Sequence, residues 1–299
     1  MAPTGASGSY AVKLASYVSG DDESFGMVID GRIVDLKRRT KAPDLRALLE
    51  AGELREISRF ANDPADIALD SLTLLPPIPR PAHIFCVGTN YADHLKEVQD
   101  AGVPRARTKA PPLFIRYPET LVAHDADLIC PAISNDFDFE GELAVIIGIA
   151  GRNISAYNAL SHVAGYSCFN DGSIRDWQFH TAQITSGKNF TSTGSFGPFL
   201  LTADEIPDPG KLKLITSING QVVQNGTTAD MIFGVSEIIS YVSTILELLP
   251  GDVIATGTPS GVGFSRKPPF FLRDGDRCVI EITRVGKLSN LVRKEERTG

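Results

Sequence analysis

Along this chain apolar and polar positions fall mostly into short alternating or continuous runs, and few stretches carry the three- and four-residue spacing of an amphipathic helix. KLASYV and FGMVID read as strands, and VIDGRIVDL sets Asp-Gly between two β-rich runs, which predicts a hairpin. DLRALLEAGELREISRFA has a helical pattern. LPPIPRP then breaks both periods, because consecutive prolines lack amide donors and fix φ. A boundary is expected between Leu75 and Pro81, dividing a small N-terminal domain (1–78) from a larger one (79–299). The first ten residues, small and polar, are expected to be disordered.

Beyond the prolines, HIFCVG, LFIRY, ELAVIIG, HVAGYSCFN, KLKLITSING, DVIATG and RCVIEITRVG are strand-like. Helical spacing returns only around YADHLKEVQD, SIRDWQFHTAQ and VSEIISYVSTILELL, so helices do not alternate regularly with strands. The pattern predicts an α+β, β-rich fold in preference to a doubly wound sheet.

One strand departs from the usual placement of charge. In DFDFEGELAVIIG, Asp136, Asp138, Glu140 and Glu142 alternate onto the face that continues as Ala144 and Ile146, while Phe137, Phe139, Leu143 and Val145 take the other. A solvated acidic edge is the plain reading, yet Glu140 and Glu142 abut the densest apolar run of the chain. Buried carboxylates without partners cost roughly several kcal/mol each. A hard divalent ion is a fitting partner, since Mg²⁺ takes carboxylate oxygens and keeps water or substrate oxygens. Asp171 in NDGSIRDWQ is the candidate third acid: a helix starting at Ser173 would set Asp171, Arg175 and Gln178 on one face at i, i+4 and i+7. The ordinary alternative is a helix cap paired with Arg175 at the surface.

NYADHLKE places His94 and Glu97 at i, i+3, where a carboxylate can orient an imidazole and raise its basicity; most such pairs are surface neighbours. Lys188 in SGKNF reads as a surface lysine or a site cation. The loop TGTPSGVG, Thr256 to Gly263, follows a strand but precedes neither GK[ST] nor a helix, so it is no phosphate loop. Its glycines, Gly257 among them, would let backbone amides and Thr258 approach a small carboxylate; a plain tight turn is the alternative.

The whole-chain properties narrow the partners. A formal net charge of -7 over 299 residues disfavours nucleic acid and anionic membrane. No apolar run nears the roughly 18 residues of a membrane span, and MAPTGASGSY lacks the marks of a signal peptide, so a cytoplasmic location is expected. Cys86, Cys130, Cys168 and Cys278 are scattered and are expected to be reduced and without catalytic role. His83, His124, His162 and His180 are expected to be structural or at the surface.

Together the segments VGTNYADHLKE, DFEGELAVIIG, GYSCFNDGSIRDWQ, GKNF, ADMIF, GDVIATGTPSGVG and PPFFLRDGDRCVIEI resemble the fumarylacetoacetate hydrolase family, from about His83 to Val292. The resemblance implies a mixed β-roll, generally dimeric, with a smaller N-terminal domain in many bacterial-type members. It implies that Glu140, Glu142 and Asp171 hold Mg²⁺ or Mn²⁺, and that His94 and Glu97 form a water-activating dyad on a segment that is a mobile lid in relatives. Lys188, Arg175, Gln178 and Thr258 would meet the 2-oxo-acid end of a small substrate, while Asp136 and Asp138 would sit at the solvated mouth of the strand. Two departures stand out: Phe114, Ile115, Arg116, Tyr117 and Pro118 replace the Phe-x-Lys-Pro of many relatives, and Gly172 stands where a bulkier residue is common.

The leading expectation is metal-dependent hydrolysis of a C–C bond in an acylpyruvate, releasing pyruvate. Decarboxylation of an oxaloacetate-like acid and tautomerisation of a hydroxy-dienedioate use related enolate chemistry and are the alternatives. A 2-oxo-acid-binding protein without turnover is the reading from another class.

Overall fold

The structure, a computed structural model, describes residues 12–296, so the disorder expected of the first ten residues lies outside the described residues. The chain opens with β1 (Lys13–Ser19), β2 (Asp22–Ile29) and β3 (Arg32–Asp35). Asp30 and Gly31 both take positive φ between β2 and β3, giving the tight turn that Asp-Gly foretold.

The long helix expected next is divided. The α1 helix (Leu45–Glu50) is capped by the Asp44 side chain, which accepts from the Ala47 amide, and Gly52 at φ 72 turns the chain into a 3-10 stretch over Glu53–Phe60. The left-handed glycine ends the α-helix although the apolar spacing continues. Two short strands follow, β4 (Ile67–Ala68) and β5 (Thr73–Leu74).

The remainder contains β6 (Ile84–Val87), α2 (Ala92–Asp100), β7 (Leu113–Ile115), β8 (Leu121–Val122), β9 (Leu128–Cys130), β10 (Phe137–Asp138), β11 (Gly141–Ile147), β12 (Val163–Asn170) and β13 (Ser173–Ile174). Two single turns, α3 (Arg175–Gln178) and α4 (Thr185–Lys188), precede β14 (Gly194–Thr202), β15 (Lys213–Ile218) and β16 (Gln221–Thr227). The chain closes through α5 (Val235–Ile245), β17 (Val253–Ala255), β18 (Arg277–Ile282) and β19 (Gly286–Lys294). The fold is strand-rich with several sheets, as the pattern predicted.

The main sheet has 12 strands, running β4-β3-β2-β1-β14-β12-β11-β17-β6-β7 with β5 on β1 and β8 on β14. A second sheet, β16-β15-β18-β19-β9, packs against it, and β10 pairs only with β13. The acidic strand β11 is central, antiparallel to both β12 and β17. Its two faces enter different cores. Leu143, Val145 and Ile147 pack with Leu214, Ile280 and Ile239 of the second sheet and α5. Ala144 and Ile146 pack with Phe25, Leu45 and Leu48 from the N-terminal part. With both faces covered, the side chains at the start of β11 are buried, and that placement creates the site. Among the described residues no helix is long and apolar enough to cross a membrane.

Close packing of β12 on β14 leaves no room at Gly165, where a Cβ would lie 2.2 Å from the Leu201 carbonyl oxygen. Gly165→Ala is expected to lower stability by about 1–3 kcal/mol, as overpacking of a core commonly does. Urea denaturation checks this, and an unchanged midpoint would count against the packing account.

Candidate active site

The inner end of the site is a buried cluster of charge at the β10–β11 junction. Glu140 and Glu142 enter it from either side of Gly141, and Asp171 from the turn after β12, its amide donating to the Glu140 carbonyl. One carboxylate oxygen from each of the three lies within 4.8 Å of the others. The turn is tight: a Cβ at Gly172 would stand 1.9 Å from the Thr193 carbonyl oxygen, so no bulkier residue fits in this arrangement.

Cations thread between these acids. Lys188 Nζ donates to Glu140 Oε2 (2.6 Å) and Asp171 Oδ2 (2.7 Å). Arg175 donates through Nη2 to Glu140 Oε1 (2.7 Å), through Nε to Asp138 Oδ2 (2.8 Å) and through Nη1 to Gln178 Oε1 (2.8 Å). Arg116 Nη1 donates to Asp171 Oδ1 (2.7 Å), and the same guanidinium reaches the Gly172 carbonyl and the hydroxyls of Thr120 and Thr193.

Burial and these contacts set the protonation preferences. Burial raises the Glu140 pKa, but Lys188, Arg175 and His94 outweigh it and hold the carboxyl well below its usual range. For Lys188 and Arg175 burial opposes the charged form, and the surrounding carboxylates still push both pKa values up. Glu142 goes the other way: burial, then repulsion from Asp171 and Glu140, raises it well above a normal carboxyl. It accepts from the Gly257 amide (2.8 Å) and forms no ion pair among the described residues. A buried set of hard oxygen donors with one under-compensated carboxylate suits a hard divalent cation.

The dyad residues come together on α2. His94 Nδ1 lies 3.0 Å from Glu97 Oε2, and Glu97 Oε1 accepts from the Gly261 amide (2.9 Å). Burial pushes the Glu97 pKa up, yet contacts from His94, Ser265 and Gly261 bring it below its usual value. Asn90 ties the start of α2 to the rest by donating to the carbonyls of Phe233 and Thr256. Gly257, at φ 97, passes so near that a Cβ would be 2.6 Å from Asn90 Cβ, which requires glycine.

His94, Glu140, Glu142, Arg175, Gln178, Lys188 and Thr258 all line one narrow cavity of about 30 Å³. Its outer wall is largely apolar, from Val98, Val103, Phe114, Phe179 and Phe264, with Arg105 set among them. Thr258 Oγ1 donates to the Gly141 carbonyl (2.9 Å) and accepts from Gln224 Nε2 (2.8 Å). The Gly257 amide, which the sequence reading gave to a substrate carboxylate, is taken by Glu142.

Two expectations require correction, and one residue was missed. Ser173–Ile174 is strand, and α3 is a single turn, so Asp171, Arg175 and Gln178 do not share a helical face. The reversal of the chain, tied by the Arg175 amide donating to the Asp136 carbonyl, gathers them instead. Asp138 is fully buried, not solvated: besides Arg175 it accepts from the amides of Gly263 and Phe264. Arg116 appeared only as a departure in the sequence, yet it grips a triad member; an arginine flanked by apolar residues in LFIRYP was the available signal. The other histidines stay outside: His83 meets Asp252, His124 accepts from the Ser289 amide, His162 meets the Ile149 carbonyl and His180 stacks on Trp177. All four cysteines are free and buried, which matches the reduced state expected of them.

Removing Asp138 takes one of two carboxylates from Arg175 and strands two loop amides. Asp138→Ala is expected to destabilise by about 3–5 kcal/mol, the scale for breaking one side of a buried ion pair, with Asp138→Asn costing less; denaturant titration of both variants checks it. A second expectation follows from Glu142. A folded-state pKa raised above the unfolded value gives stability that is present at low pH and lost as pH rises through the folded value. An ion bound by Glu142 reverses that loss. Mn²⁺ is therefore expected to raise Tm more at about pH 8 than at about pH 6, and a pH-independent shift would argue against Glu142 as a ligand.

Comparison with known proteins identifies the family. Residues 83–293 match the family model Fumarylacetoacetate (FAA) hydrolase C-terminal. A mitochondrial oxaloacetate tautomerase of Homo sapiens is 43% identical over 223 residues, 74% of this chain and 69% of that protein. Among solved structures, a fumarylacetoacetate hydrolase from Exiguobacterium antarcticum is 34% identical with a TM-score of 0.79, covering 95% of this chain and 100% of that one. Maleylpyruvate hydrolase from Sphingobium sp. SYK-6, in complex with manganese(II) ion and pyruvate, is 28% identical with a TM-score of 0.79 over the same shares. With its strand-rich fold, its buried acidic triad and a match across most of its length, the chain belongs to the fumarylacetoacetate hydrolase family.

Proposed function

We propose that the protein is a divalent-metal-dependent tautomerase that interconverts the keto and enol forms of oxaloacetate or a related small 2-oxo acid. The observation that carries this reading is that Glu140 and Glu142 of the acidic triad and His94, held by Glu97, line one buried cavity. The oxaloacetate tautomerase relative, at 43% identity, supports the choice of substrate over the hydrolytic order that the sequence alone favoured.

Mg²⁺ or Mn²⁺ held by Glu140, Glu142 and Asp171 would supply electrophilic stabilisation of the charge that develops on the 2-oxygen. The remaining work falls to the chain. With a proton on Nδ1 facing Glu97, His94 offers Nε2 as the base that takes a proton from C3, leaving an enolate, and delivers a proton to its 2-oxygen to give the enol. Glu97, held by the Gly261 amide, stabilises the imidazolium between those transfers. Arg175 and Gln178, braced against each other, orient the C1 carboxylate, Lys188 adds positive charge beside it, and Thr258 limits the pose from the opposite wall. The apolar outer wall keeps bulk water away from C3.

Acylpyruvate hydrolysis is the second reading, favoured by the same dyad and by the maleylpyruvate hydrolase neighbour. There His94 would deprotonate water for attack at C4, and breaking C3–C4 would release pyruvate and an acid. Decarboxylation of oxaloacetate would use the inner end without a base. A homodimer belongs to the proposal as well; the exposed apolar side chains Ile149, Tyr157, Tyr241 and Ile245 are candidates for its contact.

The test follows loss of enol absorbance from oxaloacetate, and pyruvate release from acetylpyruvate and fumarylpyruvate, by metal-stripped and Mn²⁺-loaded protein. Metal-dependent tautomerisation that falls by about 10²–10⁴ in His94→Ala is expected. Pyruvate release from the acylpyruvates, with the oxaloacetate tautomers left untouched, would favour the hydrolase instead.

A further inference from the structure

The outer wall of the cavity holds a cation that the inner chemistry does not use. The α2 helix ends at Asp100, Gly102 takes φ 85, and the chain folds back so that the Val103 amide donates to the Val98 carbonyl (3.2 Å). Gln99 Nε2 donates to the Arg105 carbonyl (2.6 Å), fixing that residue beside the helix. Arg105 thereby joins Val98, Val103 and Phe114 in the wall that faces the acidic cluster.

Its surroundings leave it without an anion. Arg105 Nε is buried with no hydrogen-bond partner, and the side chain forms no ion pair among the described residues. The other two permanent cations of the cavity, Arg175 and Lys188, are each bound to two carboxylates. Arg105 also lines an adjoining groove of about 420 Å³, which shares Gly88, Phe114 and Ile184 with the cavity and has no other charged residue. A donor buried on an apolar wall, beside room for an extended ligand, matches a carboxylate, which a guanidinium binds through paired hydrogen bonds.

We propose that Arg105 is a specificity-determining residue that binds the distal carboxylate of the substrate, so that the site selects 2-oxo dicarboxylic acids over 2-oxo monocarboxylic acids. This rests on reading the inner end as a 2-oxo-acid site and adds the identity of the other end. The titratable and charged groups that line the cavity with Arg105 are His94, Glu140, Glu142, Arg175 and Lys188. Both carboxylates point into the ion cluster, so the wall around Arg105 is the part of the cavity open to a second anion.

The test uses two acids of equal chain length, 2-oxoglutarate and 2-oxopentanoate, binding to the full-length Mn²⁺-loaded protein by calorimetry. The wild type is expected to bind the diacid at least about tenfold more tightly, the scale of one charge-assisted contact. Arg105→Gln should lose that preference while keeping its affinity for the monoacid, and Arg105→Lys should recover part of it. Equal binding of both acids by the wild type, or an equal loss for both in Arg105→Gln, overturns the role of Arg105 and leaves the tautomerase reading intact. Discrimination without oxaloacetate turnover does the reverse, and binding of neither acid overturns both.

Discussion

Four carboxylates (Asp138, Glu140, Glu142 and Asp171) and three permanent cations (Arg116, Arg175 and Lys188) are buried together where β10 gives way to β11. In that environment an unpaired charge is costly, so the geometry of each ion-paired side chain is fixed by the others. Arg175 cannot turn without releasing both Asp138 and Glu140, and Lys188 cannot move without freeing Glu140 and Asp171. The network also joins distant parts of the chain. Asp138 holds the loop at Gly263 and Phe264, while Arg116 ties the segment after β7 to the turn after β12. The fold and the site therefore depend on the same contacts.

The acids of the network outnumber its cations. Three cations against four carboxyl groups leave one acid in excess, Glu142, whose only polar contact among the described residues is a backbone amide and which burial and its acidic neighbours favour in the neutral form. A divalent ion bound by the ionised Glu142 would leave a small positive surplus, the condition under which a 2-oxo-acid anion is welcome in a dry cavity. Preorganisation follows as well: the groups that would meet the carboxylate and the 2-oxygen are already braced before a substrate arrives.

The cavity has two unlike ends. The inner end is rigid and ionic, and it can stabilise negative charge on a 2-oxo acid whatever bond is later made or broken. The outer end is built from α2 and the chain that folds back after it, with apolar side chains, His94 and one unpaired arginine. Tautomerisation, hydrolysis and decarboxylation differ in what happens beyond C2, so choice among them falls to the outer end. That division is consistent with relatives of similar fold bearing the names of a tautomerase and a hydrolase.

Much of this was legible in the residues. Alternation along DFDFEGELAVIIG put Glu140 and Glu142 on one face and Leu143 and Val145 on the other, and the two cores divide there as expected. The i, i+3 spacing brought His94 to Glu97, and Asp-Gly made the turn between β2 and β3, because such contacts depend on local geometry alone. Long-range pairing was beyond that reach. Sequence spacing gave Asp171 and Arg175 a helical face that does not form, left Asp138 in solvent, and gave no partner to Arg116, which finds Asp171 across 55 positions of chain. Whether a charged side chain meets water or another charge depends on which strands cover it, and only the packing of both faces of β11 decided that.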